Sequence, residues 1–169
     1  MVSGDIPMWK PENVLHEGAE ATVTSGSWLG RKAVLKSRRA RSYRHPDLDR
    51  RLTRQRLAVE ARVLSRLSSV GFPSPKLMFL DQRNSSMLLS RIEGRTLYEL
   101  LKSDESSGDE LFSLGGLIRR LHEIGISHGD LTTHNVMSTE EGELHIIDFG
   151  LSRQSPELEH LGLDLQVLR

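Results

Sequence analysis

Residues 128–150 read HGDLTTHNVMSTEEGELHIIDFG, with an aspartate near each end of the segment. Asn135 comes 5 positions after Asp130, and Asp148 comes 13 positions after Asn135. Two short apolar stretches between Asn135 and Asp148 predict strands joined by a turn at Glu141-Gly142. If these strands pair, Asp148 returns beside Asn135, and both supply the hard oxygen ligands that Mg²⁺ prefers. Asp130 then lies nearby, where it can accept a hydroxyl proton or orient a nucleophile.

Each of these clusters is a weak signal by itself. Asp148-Phe149-Gly150 is also an ordinary strand-to-turn sequence, and His128-Gly129-Asp130 is too short to be specific. In this order and at this spacing, after a predicted helix that ends near His122, they resemble the catalytic and metal-binding loops of protein kinases. The resemblance implies an α+β, bilobal protein-kinase-like fold. Its N-lobe would be a small antiparallel sheet with one helix, and its C-lobe would be reduced and mostly helical.

A fold of this kind needs a lysine on a strand and a carboxylate on the following helix. Residues 33–36 read AVLK, which matches the strand motif and lies in a predicted strand. Residues 48–67 form a predicted helix, and Glu60 lies at the edge of its apolar face. A carboxylate there, on a helix otherwise rich in arginine, favours a buried cationic partner over a solvated position. We therefore predict an ion pair between Lys36 and Glu60.

The nucleotide-binding residues are predicted from their positions relative to this lysine. Residues 17–23 lie where kinases carry the glycine-rich phosphate loop, although they contain one glycine where that loop has three. Aliphatic side chains would cover the adenine from above and below, a role that is compatible with ordinary core packing. The backbone of residues 89–92 would pair with the adenine edge as a hinge. The predicted ATP-binding residues are Gly18, Ala19, Glu20, Ala21, Val23, Val34, Lys36, Leu89, Ser90, Ile92, Met137 and Asp148.

The remaining elements follow from apolar periodicity and turn residues. The predicted strands are 21–24, 32–36, 76–80, 87–92, 136–137 and 144–147, and the further helices are 96–101, capped by Thr96, and 111–124. The strand at 21–24 is expected to end at Ser25-Gly26-Ser27, and Gly115-Gly116 indicates close packing of its helix. Glu93-Gly94 is a predicted boundary, with a kinase N-lobe at 1–89 and the hinge and truncated C-lobe at 90–169.

The chain has 169 residues, with 23 basic and 23 acidic side chains and no cysteine. The missing cysteine excludes disulfides, thiolate zinc sites and a cysteine nucleophile, and favours a cytoplasmic location, or also a nuclear one in a eukaryote. No apolar run approaches the roughly 18 residues of a membrane span, and the N-terminus lacks the features of a secretory signal. Residues 31–66 carry 13 basic and 3 acidic residues, hence +10. This excess predicts either a face for nucleic acid or an exposed arginine-rich helix.

Several further segments narrow the resemblance to the small kinase/ATPase of the KEOPS complex, the PRPK family. They are Gly18-Ala19-Glu20-Ala21, Ser42-Tyr43-Arg44-His45-Pro46, Leu48-Asp49, Glu60-Ala61-Arg62 and Thr132-Thr133. The resemblance runs from about Leu15 to Leu168. It implies that the chain uses ATP and Mg²⁺ as a serine/threonine protein kinase, an ATPase, or both, in support of threonylcarbamoyl-adenosine modification of tRNA. It also implies partners: the threonylcarbamoyltransferase subunit, other KEOPS subunits, and tRNA through residues 31–66.

The resemblance also implies roles for individual residues. The implied catalytic residues are Asp130, Lys36, Glu60 and Asn135, and the implied Mg²⁺ ligands are Asn135 and Asp148. Lys36 would contact the phosphates while Glu60 holds it, and Asp130 would be the catalytic aspartate. Asp164 resembles the aspartate that braces the catalytic loop from the following helix. His128 is expected to hold the catalytic loop in place rather than to act as a base.

The chain departs from ordinary protein kinases in ways that bear on activity. Thr132 stands where those kinases place a lysine two residues after the catalytic aspartate, so phosphoryl transfer to a protein is expected to be slow. Only 19 residues follow Gly150, so we expect the usual peptide-docking helices to be absent. Members of the PRPK family usually continue into a basic tail, so this chain is expected to lack tail contacts with tRNA.

Other interpretations remain open at the level of sequence. A RIO-type kinase is similar, but its metal loop usually lacks the full Asp148-Phe149-Gly150 pattern. Aminoglycoside and choline kinases share the pattern from His128 to Asn135, but they need a large helical substrate lobe after the metal aspartate. A scaffold without catalytic activity, which binds partner proteins and tRNA, is the alternative from another class.

Overall fold

The computed structural model describes residues 6–18, 21–38, 46–103 and 108–168, with the side chains of residues 46 and 50 excluded. The described residues form two compact units. The first contains the chain up to Ala61 together with Lys76–Arg91, and the second contains Arg62–Pro75 and the chain from Ile92 onward. The predicted division into domains 1–89 and 90–169 stays a prediction.

The first unit is built on a five-stranded antiparallel sheet of order β1-β2-β3-β5-β4. Its strands are β1 (Trp9–Glu17), β2 (Ala21–Trp28), β3 (Arg31–Arg38), β4 (Leu77–Asp81) and β5 (Ser86–Ser90). Helix α1 (Pro46–Ser69) follows β3, and its residues from Arg62 onward belong to the second unit. The strands predicted at 32–36, 76–80 and 87–92 and the helix predicted at 48–67 are confirmed, with ends that differ by a few residues.

Side chains of β3 alternate between the two faces of this sheet. Ala33 and Leu35 are buried in a core with Leu88 and Ile6. Trp9, Trp28, Met78 and Phe79 pack against that core. Because the period of a strand is two residues, Val34, Lys36 and Arg38 lie on the opposite face. One face of the sheet therefore packs into the core, and the other carries the charged side chains of Lys36 and Arg38.

The sequence prediction was wrong about the start of the sheet. Strand β2 continues through Ser25-Gly26-Ser27 to Trp28, and the preceding strand β1 was not predicted at all. In β1 every residue after Trp9 is exposed, so the strand lacks the apolar alternation that marks a half-buried strand. Gly26 lies where β1 comes close, because a Cβ atom built there falls 2.2 Å from the Lys10 carbonyl oxygen.

Within the described residues, the second unit contains short strands and three further α-helices, besides a 3-10 turn at Thr133–Asn135. These elements are β6 (Arg95–Thr96), α2 (Leu97–Lys102), α3 (Asp109–Glu123), β7 (Ile126–Ser127), β8 (Val136–Ser138), β9 (Leu144–Ile146), β10 (Arg153–Gln154) and α4 (Leu158–Val167). Thr96 caps α2 as predicted: its hydroxyl accepts from the Glu99 N–H, and the Glu99 carboxylate accepts from the Thr96 N–H. The predicted hairpin is confirmed, since β8 pairs with β9 and places Val136 opposite Ile146.

Helix α3 confirms the prediction at 111–124, and its buried residues are Leu114, Ile118 and Leu121. The prediction that Gly115-Gly116 marks close packing was wrong, because a Cβ atom built at either glycine has no neighbour within 4 Å. Gly115 instead lines an open groove between α3 and α4, with a volume of about 510 Å³. Within the described residues, no helix has both the length and the apolar character needed to cross a bilayer.

Candidate active site

Lys36 and Glu60 form a buried ion pair in the first unit. Lys36 Nζ lies 2.8 Å from Glu60 Oε1, and the side chains are 9% and 1% exposed. The second carboxylate oxygen, Oε2, accepts a hydrogen bond of 2.7 Å from Nη2 of Arg38, whose side chain is 7% exposed. The predicted pair is therefore present as part of a triad of two cations and one carboxylate.

The strand register places four of the predicted nucleotide-binding residues on one face of the sheet. Val23 lies directly opposite Lys36 on β2, and Val34 lies directly opposite Leu89 on β5. Val34 and Lys36 are two residues apart on β3, so all four side chains share the face that also carries Arg38. This arrangement suits a surface that is aliphatic on one side and cationic on the other.

The backbone of the predicted hinge is partly used inside the first unit. The Ser90 N–H donates to the Lys76 carbonyl at 2.9 Å, and the Arg91 N–H donates to the Lys32 carbonyl at 3.4 Å. These two donors are therefore committed to the sheet, which leaves adenine pairing at this segment to carbonyl groups or to the N–H of Ile92.

The predicted phosphate loop is described only at its ends. The Gly18 N–H donates to the Ala21 carbonyl at 3.0 Å, which closes the connection between β1 and β2. A Cβ atom built at Gly18 falls 2.8 Å from Nε2 of His16, so a larger residue would displace that ring. Ala19 and Glu20 lie outside the described residues.

The second unit brings Asp130, Asn135 and Asp148 onto neighbouring backbone segments. Asn135 Nδ2 donates to the Asp130 carbonyl at 2.8 Å and approaches Asp130 Oδ2 at 3.3 Å. The Asn135 carbonyl accepts from the Ile147 N–H at 2.9 Å, which places Asp148 immediately beyond this bond. Since Nδ2 of Asn135 is committed to Asp130, its Oδ1 is the side-chain atom suited to a cation.

Asp148 adopts an unusual backbone conformation two residues after strand β9 ends. Its φ is +61°, which non-glycine residues rarely adopt, and its Oδ1 accepts from the Gly150 N–H at 3.2 Å. Phe149 is fully buried and contacts the His128 ring, with the ring centroids 5.0 Å apart. Such strain is typical of functional sites, where the surrounding packing fixes a costly conformation.

The carboxylate of Asp164 on α4 holds the backbone of the predicted catalytic loop. It is 1% exposed, and its carboxylate accepts from the N–H groups of His128 and Gly129, both at 2.8 Å. His122 at the end of α3 adds a third contact, with Nε2 2.9 Å from Asp164 Oδ2. The bracing contact implied by the family resemblance is therefore present.

His128 is buried in the predicted catalytic loop with both ring nitrogens hydrogen-bonded. Nε2 lies 2.9 Å from the Ile147 carbonyl, and Nδ1 accepts from the Asp130 N–H at 3.2 Å. This pattern fits the neutral ring with its proton on Nε2. Burial lowers the pKa of His128 below its usual value, although the Ile147 carbonyl opposes that change. His128 thus ties the residue before Asp148 to Asp130 itself.

Comparisons with known proteins relate the chain to kinases. The family model described as the lipopolysaccharide kinase (Kdo/WaaP) family matches residues 16–158. A mouse relative, "EKC/KEOPS complex subunit Tp53rkb", is 37% identical over 92% of this chain and 68% of its own length. The chain belongs to the family of KEOPS kinase subunits that this mouse relative represents. The resemblance inferred from the sequence is confirmed.

Other relatives of this kinase family are longer than the chain. A Dictyostelium discoideum protein, "EKC/KEOPS complex subunit bud32", is 35% identical over 92% of this chain and 65% of its own length. A "Probable bifunctional tRNA threonylcarbamoyladenosine biosynthesis protein" of Methanobrevibacter smithii is 36% identical over 94% of this chain and 28% of its own length. The chain thus spans less than a third of such bifunctional relatives.

The solved structures confirm the protein-kinase-like fold. The Rio2 kinase of Chaetomium thermophilum, solved as an ADP/Mg²⁺-phosphoaspartate complex, gives a TM-score of 0.77 at 20% identity. The match covers 95% of this chain and 54% of that one. At this identity the likeness establishes the fold alone.

Two residues that contact the predicted site were missed by reasoning from sequence. Arg38 was treated as part of a basic stretch, because the predicted strand ended at Lys36. Strand β3 continues to Arg38, which places both residues on one face. His122 was noted only as a helix end. Its contact with Asp164 joins residues 42 positions apart, and no local pattern indicates it.

Proposed function

We propose that the protein is an ATP- and Mg²⁺-dependent phosphotransferase, acting as an ATPase, a serine/threonine protein kinase or both, within a KEOPS-type complex that supports threonylcarbamoyl-adenosine modification of tRNA. The observation that carries the proposal is the buried pair of Lys36 and Glu60, 2.8 Å apart. A buried lysine held by a carboxylate on this strand and helix is the phosphate-binding arrangement of kinases.

The first unit supplies the cation for the phosphates. Lys36 is buried, so its ammonium group acts where water screens its charge poorly. Glu60 fixes the position of that group, while Val23 and Val34 on the same face provide an apolar surface for the adenine. The aliphatic and cationic parts of this face match the two ends of a nucleotide.

The second unit supplies oxygen ligands and the catalytic carboxylate. Within the described residues, no three His, Cys, Asp or Glu side chains cluster as a metal site. The proposed ligands are instead Oδ1 of Asn135 and the carboxylate of Asp148, a set that fits Mg²⁺ because this ion keeps several waters and phosphate oxygens. Mg²⁺ would neutralise charge on the transferred phosphoryl group. Asp130 would accept the proton of the attacking hydroxyl group or water.

The proposed partners are the threonylcarbamoyltransferase subunit, other KEOPS subunits and tRNA. The relatives named above as KEOPS subunits and as tRNA threonylcarbamoyladenosine biosynthesis proteins support the assignment of KEOPS subunits as partners. The exposed arginines of α1, which include Arg51 and Arg54, support tRNA as a partner. Thr132 occupies the position, two residues after Asp130, where protein kinases carry a lysine. We therefore propose that the protein hydrolyses ATP faster than it phosphorylates other proteins.

The test is ATP hydrolysis measured with and without Mg²⁺, alone and with the transferase subunit and tRNA. We expect turnover that requires Mg²⁺, increases with the partners and is lost in Asp148→Ala. Glu140→Ala is the matched control, because Glu140 is an exposed carboxylate in the turn of the same hairpin. Absence of turnover under every condition would contradict the proposal. Nucleotide binding without turnover, measured by calorimetry, would instead support the scaffold interpretation.

A further inference from the structure

Two exposed rings stack on each other beside the proposed Mg²⁺ ligands of the second unit. The ring of Tyr98 on α2 stacks on the ring of His134, with the centroids 4.0 Å apart and the planes inclined by 21°. His134 is exposed and Tyr98 is 40% exposed, so the pair buries little apolar surface and adds little to overall stability. What the Tyr98 ring contacts is the 3-10 turn Thr133–Asn135, in which His134 is the middle residue.

Helix α2 is a firm support for this stack, although it has only six residues. Its N-terminus carries the capping box, in which Thr96 and Glu99 satisfy each other's backbone N–H groups. Leu97 is fully buried, and Thr96 pairs with Met137 on β8. The backbone that carries Tyr98 is therefore held by a cap, by a buried side chain and by a strand pair.

The turn on the other side of the stack is intrinsically weaker. A 3-10 turn has poorer hydrogen-bond geometry than an α-helix, and the side chain of Thr132 does not cap its start. The Asn135 N–H donates to the Thr132 carbonyl at 2.9 Å, which closes the turn. Asn135 is the last residue of the turn, and its Oδ1 is a proposed Mg²⁺ ligand. A loosened turn would therefore displace that ligand directly.

We propose that Tyr98 is a positioning residue, which stacks on His134 and thereby holds the turn in the conformation that presents Oδ1 of Asn135 to Mg²⁺. Tyr98 acts through His134 and does not itself need to touch the metal or the nucleotide. This inference rests on the proposed function, since it concerns the Mg²⁺ site of the same phosphotransferase. Without the stack, the turn would occupy the competent conformation for only part of the time, and the apparent affinity for Mg²⁺ would fall in proportion to that fraction.

The first test measures ATP hydrolysis against Mg²⁺ concentration in Tyr98→Ala, Tyr98→Phe and the control Phe112→Ala. Tyr98→Phe keeps a ring that can stack, and Phe112 is a ring of the same unit that is 88% exposed. A pair of stacked rings can shift an equilibrium by up to about tenfold. We therefore expect Tyr98→Ala to raise the Mg²⁺ concentration for half-maximal turnover by about three- to tenfold, and the other two variants to change it by less than about twofold. At saturating Mg²⁺, Tyr98→Ala should regain most of the wild-type rate.

The second test needs no turnover and uses calorimetry with a non-hydrolysable ATP analogue, titrated with and without Mg²⁺. We expect the gain in affinity that Mg²⁺ gives to be about three- to tenfold smaller in Tyr98→Ala than in wild type. The affinity without Mg²⁺ should change by less than about twofold, because the turn contributes only through the metal. An equal loss with and without Mg²⁺, or no loss at all, would overturn the inference.

A double-variant cycle tests whether Tyr98 acts through His134. If it does, Tyr98→Ala/His134→Ala should show the same Mg²⁺ dependence as either single variant, because each change removes the same stack. Effects of the two changes that multiply would show that the residues act independently, which would contradict the inference.

A merely structural role of Tyr98 predicts another pattern. Partial unfolding lowers the concentration of active protein, so turnover would fall by the same factor at every Mg²⁺ concentration. That pattern in Tyr98→Ala would also overturn the inference. Failure of the proposed function is distinguishable, because wild-type protein would then neither hydrolyse ATP nor bind the analogue in the presence of Mg²⁺.

Discussion

Single residues of the proposed catalytic loop are held in place by hydrogen bonds, and His128 is the clearest case. Its ring is fully satisfied only in the neutral form, where Nε2 donates to the Ile147 carbonyl and Nδ1 accepts from the Asp130 N–H. Protonation of Nδ1 would remove the acceptor for Asp130. The charge state of one buried imidazole is thus linked to the backbone of the proposed catalytic aspartate.

This linkage predicts a pH dependence of stability. Because burial lowers the pKa of His128 in the folded state, the unfolded chain binds more protons between that pKa and the ordinary value of about 6.5. The free energy of unfolding should therefore fall as the pH drops below about 6.5, with at most about 1.4 kcal/mol per pH unit from this residue. Urea unfolding of wild type and His128→Asn between pH 5 and 8 checks this. The two curves should converge on acidification, and parallel curves would contradict the prediction.

Gly129 is a second residue fixed by close contact. Its φ is +82°, and a Cβ atom built there falls 2.4 Å from the Leu151 carbonyl oxygen. Gly142 is a matched control, because its φ is +81° but its Cβ position has no neighbour within 4 Å. Gly142→Ala should cost about 1 kcal/mol of stability from backbone strain and retain activity. Gly129→Ala should cost more and abolish ATP hydrolysis, since the backbone beside Asp130 must move. Equal effects of the two variants would refute the steric argument.

At the scale of elements, α4 contributes to the site through a single buried carboxylate. The helix begins at Leu158 and is mostly exposed, but Asp164 is buried and accepts hydrogen bonds from the backbone of the proposed catalytic loop. Helix α3 contributes His122 to the same carboxylate. Two helices and one loop of the second unit therefore meet at one acidic side chain.

Replacement of this carboxylate tests the bracing role of α4. In Asp164→Asn the amide has one accepting oxygen, so at least one of the two backbone N–H bonds is lost, at about 1.5–3 kcal/mol each. We expect lower stability, faster amide exchange at His128 and Gly129, and reduced ATP hydrolysis. Glu159→Gln, an exposed carboxylate on the same helix, should change none of these. Unchanged amide exchange in Asp164→Asn would contradict the bracing role.

At the scale of the whole molecule, the distribution of charge sets the proposed contact with tRNA. The net +10 of residues 31–66 is not all available for binding, because Lys36 and Arg38 are buried against Glu60. The exposed arginines of α1 remain, among them Arg51 and Arg54. These side chains suit phosphate contacts, which carry affinity without sequence information.

The tRNA contact is tested by its salt dependence. If Arg51 and Arg54 each neutralise one phosphate, Arg51→Ala/Arg54→Ala should weaken tRNA binding and reduce the slope of log K against log salt by roughly 1.5–2. Arg83→Ala/Arg153→Ala is the control, because it removes the same charge from exposed positions outside residues 31–66. Binding isotherms at several salt concentrations provide the measurement. Equal slopes for both double variants would exclude a specific role for α1.

Residues with a regular local pattern were predictable from the sequence. Helix α1, strand β3 and the hairpin that follows Asn135 have apolar periodicity or turn residues that specify them locally. Strand β1 has no such pattern, because all its residues after Trp9 are exposed, and it exists only by pairing with β2. The glycines of α3 were misread for a related reason. The sequence shows that Gly115 and Gly116 lack side chains, but it does not show whether another element packs against them.

The sequence alone determined the kinase fold and indicated the proposed acidic, amide and lysine residues of the site, because their chemistry and spacing can be read from the order of the chain. The pair of Lys36 and Glu60 was predictable, but only the tertiary structure decided which further charged side chains meet. Arg38 joins Glu60 across 22 positions, and His122 joins Asp164 across 42. Such contacts depend on how strands and helices pack, since a side chain acquires a partner only when the fold excludes water from both and places them within bonding distance.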